Sequence, residues 1–218
     1  MSRKYDLIVF DWDGTLADST SIIIQSIRHA AEETGLPVPE KQAASSIIGL
    51  GLREAIFRLF GELAPAQLEH LIARYAHHYH AQENDIPLFE GAYEAVTALA
   101  EKGYLLGVAT GKGRNGLNRA LEQSGLKPHI HATRCVDECH SKPHPQMLLE
   151  LMDEFAVPPA RTLMIGDTSF DLQMAQNANV ASLGVTYGAH PVEHLLPHAP
   201  LAHFDEFAKV NQWLIMNA

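Results

Sequence analysis

Four short runs rich in Val, Ile and Leu, at residues 7–10, 105–110, 162–166 and 182–186, each end in small or polar residues, and this feature restricts the chain most. A strand with one wet face alternates apolar and polar side chains. These runs do not alternate, so they are expected to be buried on both faces, as in a parallel sheet covered by helices. Amphipathic segments at residues 93–101, 117–124 and 145–155 lie between them and would supply that cover. The alternation predicts an α/β fold with a mainly parallel sheet and right-handed crossovers.

One interval departs from the pattern. Residues 17–84 contain no convincing strand, while helical patterns recur. Ser19 or Thr20 can cap a helix carrying Ile23, Ile24 and Ile27 that ends near Gly35. Residues 52–60 form a second helix stopped by Gly61, and Pro65 opens a third with Leu68, Leu71, Ile72 and Tyr75. A chain of 218 residues accommodates one core with a substantial insertion. The expected division is therefore a core of residues 1–16 and 85–218 and a helical cap of residues 17–84, with the return running through Pro87-Leu88-Phe89-Glu90-Gly91.

Twenty-six acidic against 16 basic side chains give a formal charge of −10. That balance argues against adhesion to nucleic acid or anionic lipid, which draws on clustered Lys and Arg, but leaves a small anionic substrate open. Cys135 and Cys139 provide no disulfide framework, and a reducing compartment fits best. The apolar run after Arg3 and Lys4 stops at Asp11, too soon for a signal-peptide core. No apolar stretch approaches the ~18 residues that span a bilayer. A cytoplasmic protein without nucleic-acid or membrane partners is expected, as a monomer or homodimer.

Asp11-Trp12-Asp13-Gly14-Thr15 follows the first strand directly, and ligands of open parallel sheets bind at the carboxyl ends of strands. Two carboxylates so spaced, before a Gly that lets the chain turn, can aim at one volume in different roles. The pattern D-x-D-G-T arises by chance in only ~0.3% of chains this long, which weighs against an ordinary Asp-Gly turn. Other elements stand at later strand ends: Thr110, then Lys142 in Ser141-Lys142-Pro143-His144-Pro145, then Gly166-Asp167-Thr168-Ser169-Phe170-Asp171.

Together these resemble the haloacid dehalogenase-like (HAD) hydrolase superfamily across essentially the whole chain. The four motifs map onto Asp11 with Asp13, Thr110, Lys142, and Asp167 with Asp171. The nearest group is subfamily IA with a C1 helical cap, phosphoglycolate phosphatase-like, whose first motif is close to the run from Asp11 to Ser19. One departure is visible: the second motif commonly has Asn and Lys after the Ser or Thr, whereas Thr110 is followed by Gly111 and Lys112.

The resemblance implies a Rossmann-like three-layer core and a Mg²⁺-dependent phosphatase of a small phosphorylated metabolite, a phosphoglycolate-like one first. It implies that Asp11 is the nucleophile and that Asp11, Asp167 and the backbone carbonyl of Asp13 hold the Mg²⁺. Asp171 either orders that shell or, as the D of a T-x-x-D pattern, caps a helix. Asp13 would act as acid and then base. Thr110, Gly111 and Lys142 would hold the phosphoryl group, and Arg53 or a histidine among His77, His78 and His80 could reach the leaving group from the cap. A pyrophosphatase, a sugar-phosphate phosphatase or a phosphomutase fits the same fold. Phosphonate cleavage is disfavoured because residues 19–34 contain no Lys.

Other readings of the residues compete. Gly111-Lys112-Gly113-Arg114-Asn115-Gly116 is a literal G-x-G-x-x-G, with Asp137 downstream, that would suit an NAD(P)-binding oxidoreductase. That pattern arises by chance in ~7% of such chains. Lys112 and Arg114 are instead expected at the site's mouth, facing substrate or solvent. Cys135, Cys139, His140 and His144 have a spacing permissible for zinc, against which a buried Cys and loop histidines are the plainer expectation. A non-catalytic binding protein is the remaining class, and it has no need of so many converging carboxylates.

Overall fold

The computed structural model describes residues 3–218. Strand β1 (Leu7–Phe10) is buried throughout. Its pleat sends Ile8 and Phe10 into one apolar layer and Leu7 and Val9 into the other. It pairs in parallel with β2 (Leu105–Thr110) on one side and β4 (Thr162–Gly166) on the other. The strands β3 (Ala132–Cys135), β5 (Ala181–Val185) and β6 (Ala202–Phe204) complete a parallel sheet of order β3-β2-β1-β4-β5-β6. Chain order therefore reverses direction at β1, the position where such sheets open a ligand crevice.

Ten α-helices stand among the described residues: α1 (Thr20–Glu33), α2 (Lys41–Ser45), α3 (Leu52–Phe60), α4 (Pro65–His80), α5 (Ala92–Glu101), α6 (Arg114–Ser124), α7 (Gln146–Phe155), α8 (Ser169–Asn177), α9 (Val192–Leu195) and α10 (Phe207–Asn217). One face of the sheet packs on Val96 and Leu99 of α5, Leu117 and Leu121 of α6, and Val210 of α10. Leu148 and Leu151 of α7 and Met174 of α8 cover the other face. The expected three-layer α/β architecture is present.

Helices α1 to α4 build their own apolar cluster from Ile27, Ala30, Ala44, Ile56 and Leu71. The chain leaves for them and returns side by side. Ala17 bridges Leu88, the Asp18 amide donates to the Pro87 carbonyl at 3.0 Å, and the Phe89 amide donates to the Leu16 carbonyl at 2.9 Å.

Continuous apolar runs do not mark β3 and β6, and the reason is positional. Both are edge strands with a single neighbour, and Thr133, Arg134 and His203 keep access to solvent. Edges are not required to be apolar on both faces. The short α2 and the terminal α10 were also unread.

Candidate active site

Asp11 continues β1 at the reversal point, its amide donating to the Ile165 carbonyl at 2.9 Å. The chain then turns back through Gly14, whose φ of +86° is cheap only for glycine and whose missing Cβ leaves room for the Asp167 carboxylate. In the same turn the Thr15 hydroxyl donates to Asp167 Oδ1 at 2.9 Å. The Ala189 amide, beyond β5, donates to Asp167 Oδ2 at 2.7 Å.

Lys142 is fully buried, with Nζ 2.6 Å from both Asp11 Oδ1 and Asp171 Oδ1. The two oxygens of Asp171 have separate partners, the start of a helix for one and Lys142 for the other. Its Oδ2 accepts from the Thr168 amide at 3.0 Å and the Thr168 hydroxyl at 2.7 Å, closing the capping box of α8, while Oδ1 holds Lys142.

Oxygens of Asp11, Asp167 and Asp171 lie within 4.8 Å of one another, all buried. One ammonium faces three carboxylates. Burial, then the Asp171 and Asp167 charges, push the Asp11 carboxyl up against the pull of Lys142. Burial, then Asp171, push Asp167 up to about 7. Burial by itself would lower the Lys142 ammonium, but Asp11 and Asp171 outweigh it and keep it charged. Asp11 Oδ2 is buried without a hydrogen-bond partner. An orphaned carboxylate oxygen in a cluster that sets three carboxyl groups against one ammonium fits a hard divalent cation that takes oxygen ligands.

Asp13 is directed elsewhere. Its Oδ1 accepts from the Ser19 hydroxyl at 2.7 Å and faces Lys112 Nζ at 3.1 Å. Lys112 Nζ also donates to the Tyr79 hydroxyl of α4 at 2.8 Å and sits 4.7 Å over that ring. Burial would lower this ammonium, yet Asp13 and Tyr79 raise it, so it is a charged link between the strand-end turn of Asp13 and helix α4. Thr110 is buried beside them and accepts from the Lys112 amide at 3.1 Å. Asp11, Asp13, Thr110 and Gly111 line a cavity of about 430 Å³ whose other walls come from α1, α3, α4, residues 47–50, Asp137 and α6 with the turn before it.

Gly111 has a steric basis. A Cβ there would lie 2.6 Å from the Leu50 carbonyl oxygen and 2.7 Å from that of Gly49, so two backbones meet where only a hydrogen fits. The segment of residues 45–51 is tied down nearby. Ser45 donates to the Ala189 carbonyl at 2.7 Å, and the Gly51 amide donates to Ser141 Oγ at 3.1 Å.

Arg53 requires correction. It points outward to Glu69 at 2.7 Å, is largely exposed, and is not part of the cavity wall. Ala55 and Ile56 take the buried face of α3, and the helical period places Arg53 on the outer face with exposed Phe57. Of the three histidines, His80 lines the cavity but is engaged with Glu83 at 2.5 Å.

The dinucleotide reading fails at a definite atom. Asp137 accepts from the Arg114 amide at 3.0 Å, so a carboxylate occupies the helix N-terminus that would face a pyrophosphate. Arg114 itself pairs with Glu138 at 2.6 Å. Nor do the four proposed zinc ligands converge among the described residues. Cys135 is buried at the end of β3, Cys139 contacts Glu150, and His140 stacks on His144 with centroids 4.4 Å apart. Tyr79, Ser19, Thr15 and the segment around Ala189 were not foreseen as site residues, although Thr15 and Ser19 lie inside the motif that marked Asp11.

A family profile described as haloacid dehalogenase-like hydrolase matches residues 8–185. The chain belongs to that family. Its relatives include the probable phosphatase IndB of Dickeya dadantii, 34% identical and covering 94% of this chain and 91% of its own. The phosphoglycolate phosphatase of Agrobacterium fabrum is 31% identical, with 93% and 89% covered. The pyrophosphatase PpaX of Anoxybacillus flavithermus is 29% identical, with 88% and 89% covered. Among solved structures, a predicted phosphoglycolate phosphatase of Haemophilus somnus superposes with a TM-score of 0.87 at 25% identity, covering 97% of this chain and 99% of that one. The expected enzyme class, a HAD-like hydrolase of phosphoric esters, is borne out by the family and its named relatives. No helix among the described residues is long and apolar enough to cross a membrane.

Proposed function

We propose that this haloacid dehalogenase-like hydrolase is a Mg²⁺-dependent phosphatase of small phosphorylated metabolites that works through an aspartyl-phosphate. The observation that carries the reading is Asp11, buried on the cavity floor, with one oxygen clamped by Lys142 and the other unpartnered. Held by Asp11, Asp167 and the Asp13 carbonyl, with Asp171 behind them, Mg²⁺ would supply the positive charge that lets a carboxylate approach a dianionic ester.

A carboxylate oxygen of Asp11 attacks phosphorus, and the bond from phosphorus to the leaving oxygen breaks. Asp13, oriented by Ser19 and Lys112, gives that oxygen a proton. It then takes a proton from the water that attacks the phosphoryl group, releasing phosphate and restoring Asp11. Lys142 and the Thr110 hydroxyl hold phosphoryl oxygens, and Asp171 keeps Lys142 in place. Residues 17–84 act as a cap that closes over the reaction and limits water. The protein is proposed to act on free metabolites without nucleic-acid or membrane partners, as a monomer or homodimer. The relatives' names place phosphoglycolate and pyrophosphate in the first assay.

The test is turnover of a generic aryl phosphate with Mg²⁺, lost with chelator and in Asp11→Asn while the variant keeps its melting temperature. No turnover across a broad panel of phosphoesters and anhydrides would overturn the reading.

A further inference from the structure

The walls of the cavity above Asp11 and Asp13 differ from what a small anionic leaving group requires. Ile23 and Ile27 of α1, Ile48 of the cap loop, Leu52 of α3, and Tyr75 and Tyr79 of α4 line it. The two tyrosine rings lie within 21° of parallel with centroids 5.9 Å apart, so that side of the cavity is aromatic. The volume, about 430 Å³, lies within the range of pockets that enclose ligands of many heavy atoms. A two-carbon acid or a second phosphate leaves most of it unfilled.

Charge gives an independent argument. The basic side chains lining the cavity among the described residues are Lys112, Arg119 and His80, Lys142 being buried behind Asp11. Each already has an acidic partner: Lys112 faces Asp13 at 3.1 Å, and Arg119 and His80 share Glu83 at 2.7 and 2.5 Å. Asp137 adds a further negative charge at the rim. A carboxylate or phosphate on the leaving group would enter apolar walls with no uncommitted cation among the described residues to receive it, and burying an unpaired charge is costly.

We infer that the substrate is a phosphomonoester whose leaving group carries a ring-sized apolar or aromatic face and no negative charge. The inference rests on the phosphatase reading above and narrows its substrate class. The phosphoryl group sits against Asp11 and Lys142, the leaving oxygen faces Asp13, and the ring lies between the isoleucines of α1 and the tyrosines of α4.

The test uses the wild-type enzyme with Mg²⁺ and three esters of aliphatic alcohols: 2-phenylethyl phosphate, ethyl phosphate and 2-phosphoglycolate. The first two share a simple alkoxide leaving group, so their ratio reads binding of the ring. From the worth of burying a phenyl-sized group, kcat/KM for 2-phenylethyl phosphate should exceed that of each of the others by at least about tenfold. Leu52→Arg, which adds an uncommitted cation to the wall, should reduce that preference for the ring over phosphoglycolate. A wild-type preference below tenfold, or better turnover of phosphoglycolate, would overturn the inference while leaving the phosphatase intact. No turnover of any ester, a generic aryl phosphate included, would overturn the phosphatase reading itself and this inference with it.

Discussion

Replacing Gly111 by Ala should weaken turnover without weakening the core. The new Cβ would lie 2.6 and 2.7 Å from two cap carbonyl oxygens, where ordinary contact begins at 3.4 Å. The gap must therefore widen by about 0.7–0.8 Å, and both sides are backbone, so no side chain can rotate away. Overpacking of this kind costs ~1–3 kcal/mol. Here the cap can retreat and relieve it, so the cost falls on closure. Converted to an equilibrium it is a ~5–150-fold loss of the closed arrangement. The same drop is expected in kcat/KM for an ester whose leaving group fills the cavity. Steady-state kinetics read the loss, and a thermal melt should show the core transition little moved. A variant within twofold of wild type in kcat/KM would refute the reasoning, because the contact would then contribute nothing to catalysis.

Lys142→Met leaves Asp11 and Asp171 buried without their ammonium, and urea unfolding should show a loss of ~3–5 kcal/mol together with loss of turnover. Asp167 gives a pH dependence. Because folding raises its pKa from 3.8 to about 7, the folded protein binds more protons than the unfolded chain between those values. Metal-free stability should therefore be highest below pH ~4 as far as this group is concerned, and should fall by up to about 4 kcal/mol as pH rises through 7. Thermal melts in chelator across pH should show that slope, and a millimolar Mg²⁺ addition at pH 7.5 should raise the melting temperature. Asp167→Asn should flatten the slope and stabilise the metal-free protein while abolishing turnover.

The four interior strands could be read directly because burial on both faces leaves little choice but Val, Ile, Leu and their like. Edge strands such as Ala132–Cys135 carry no such signature, since Arg134 can serve there by reaching Glu150 and Glu154 on α7. Asp11, Asp13 and Asp167 are recognisable from their positions just after strands and Lys142 from the family resemblance of its loop; the fold gathers Asp11, Lys142 and Asp167 around Asp171, while Asp13 turns toward Lys112. The partnership of Lys112 with Tyr79 was not recognisable. It joins the start of α6 to the end of α4, 33 positions away, and depends on how an inserted unit lies on its host. Arg53 failed for the opposite reason: a basic residue near a glycine loop looked functional, but helical phase alone decides which way α3 presents it.

The side-by-side exit and return of residues 17–88 also bears on how the chain folds. Pairing Leu7 with Leu105 requires the central strand to find a neighbour almost half the chain away. Helices α1 to α4 have their own apolar cluster and local contacts, so they can form early and bring Ala17 and Leu88 together. The loop that β1 and β2 must then close is a fraction of its contour length, a saving of roughly 1 kcal/mol in closure entropy by its logarithmic dependence. On this account the insertion acts as a clamp during assembly, and a substitution that loosens its apolar cluster, such as Leu71→Ala, would slow refolding of the sheet as well as open the cavity.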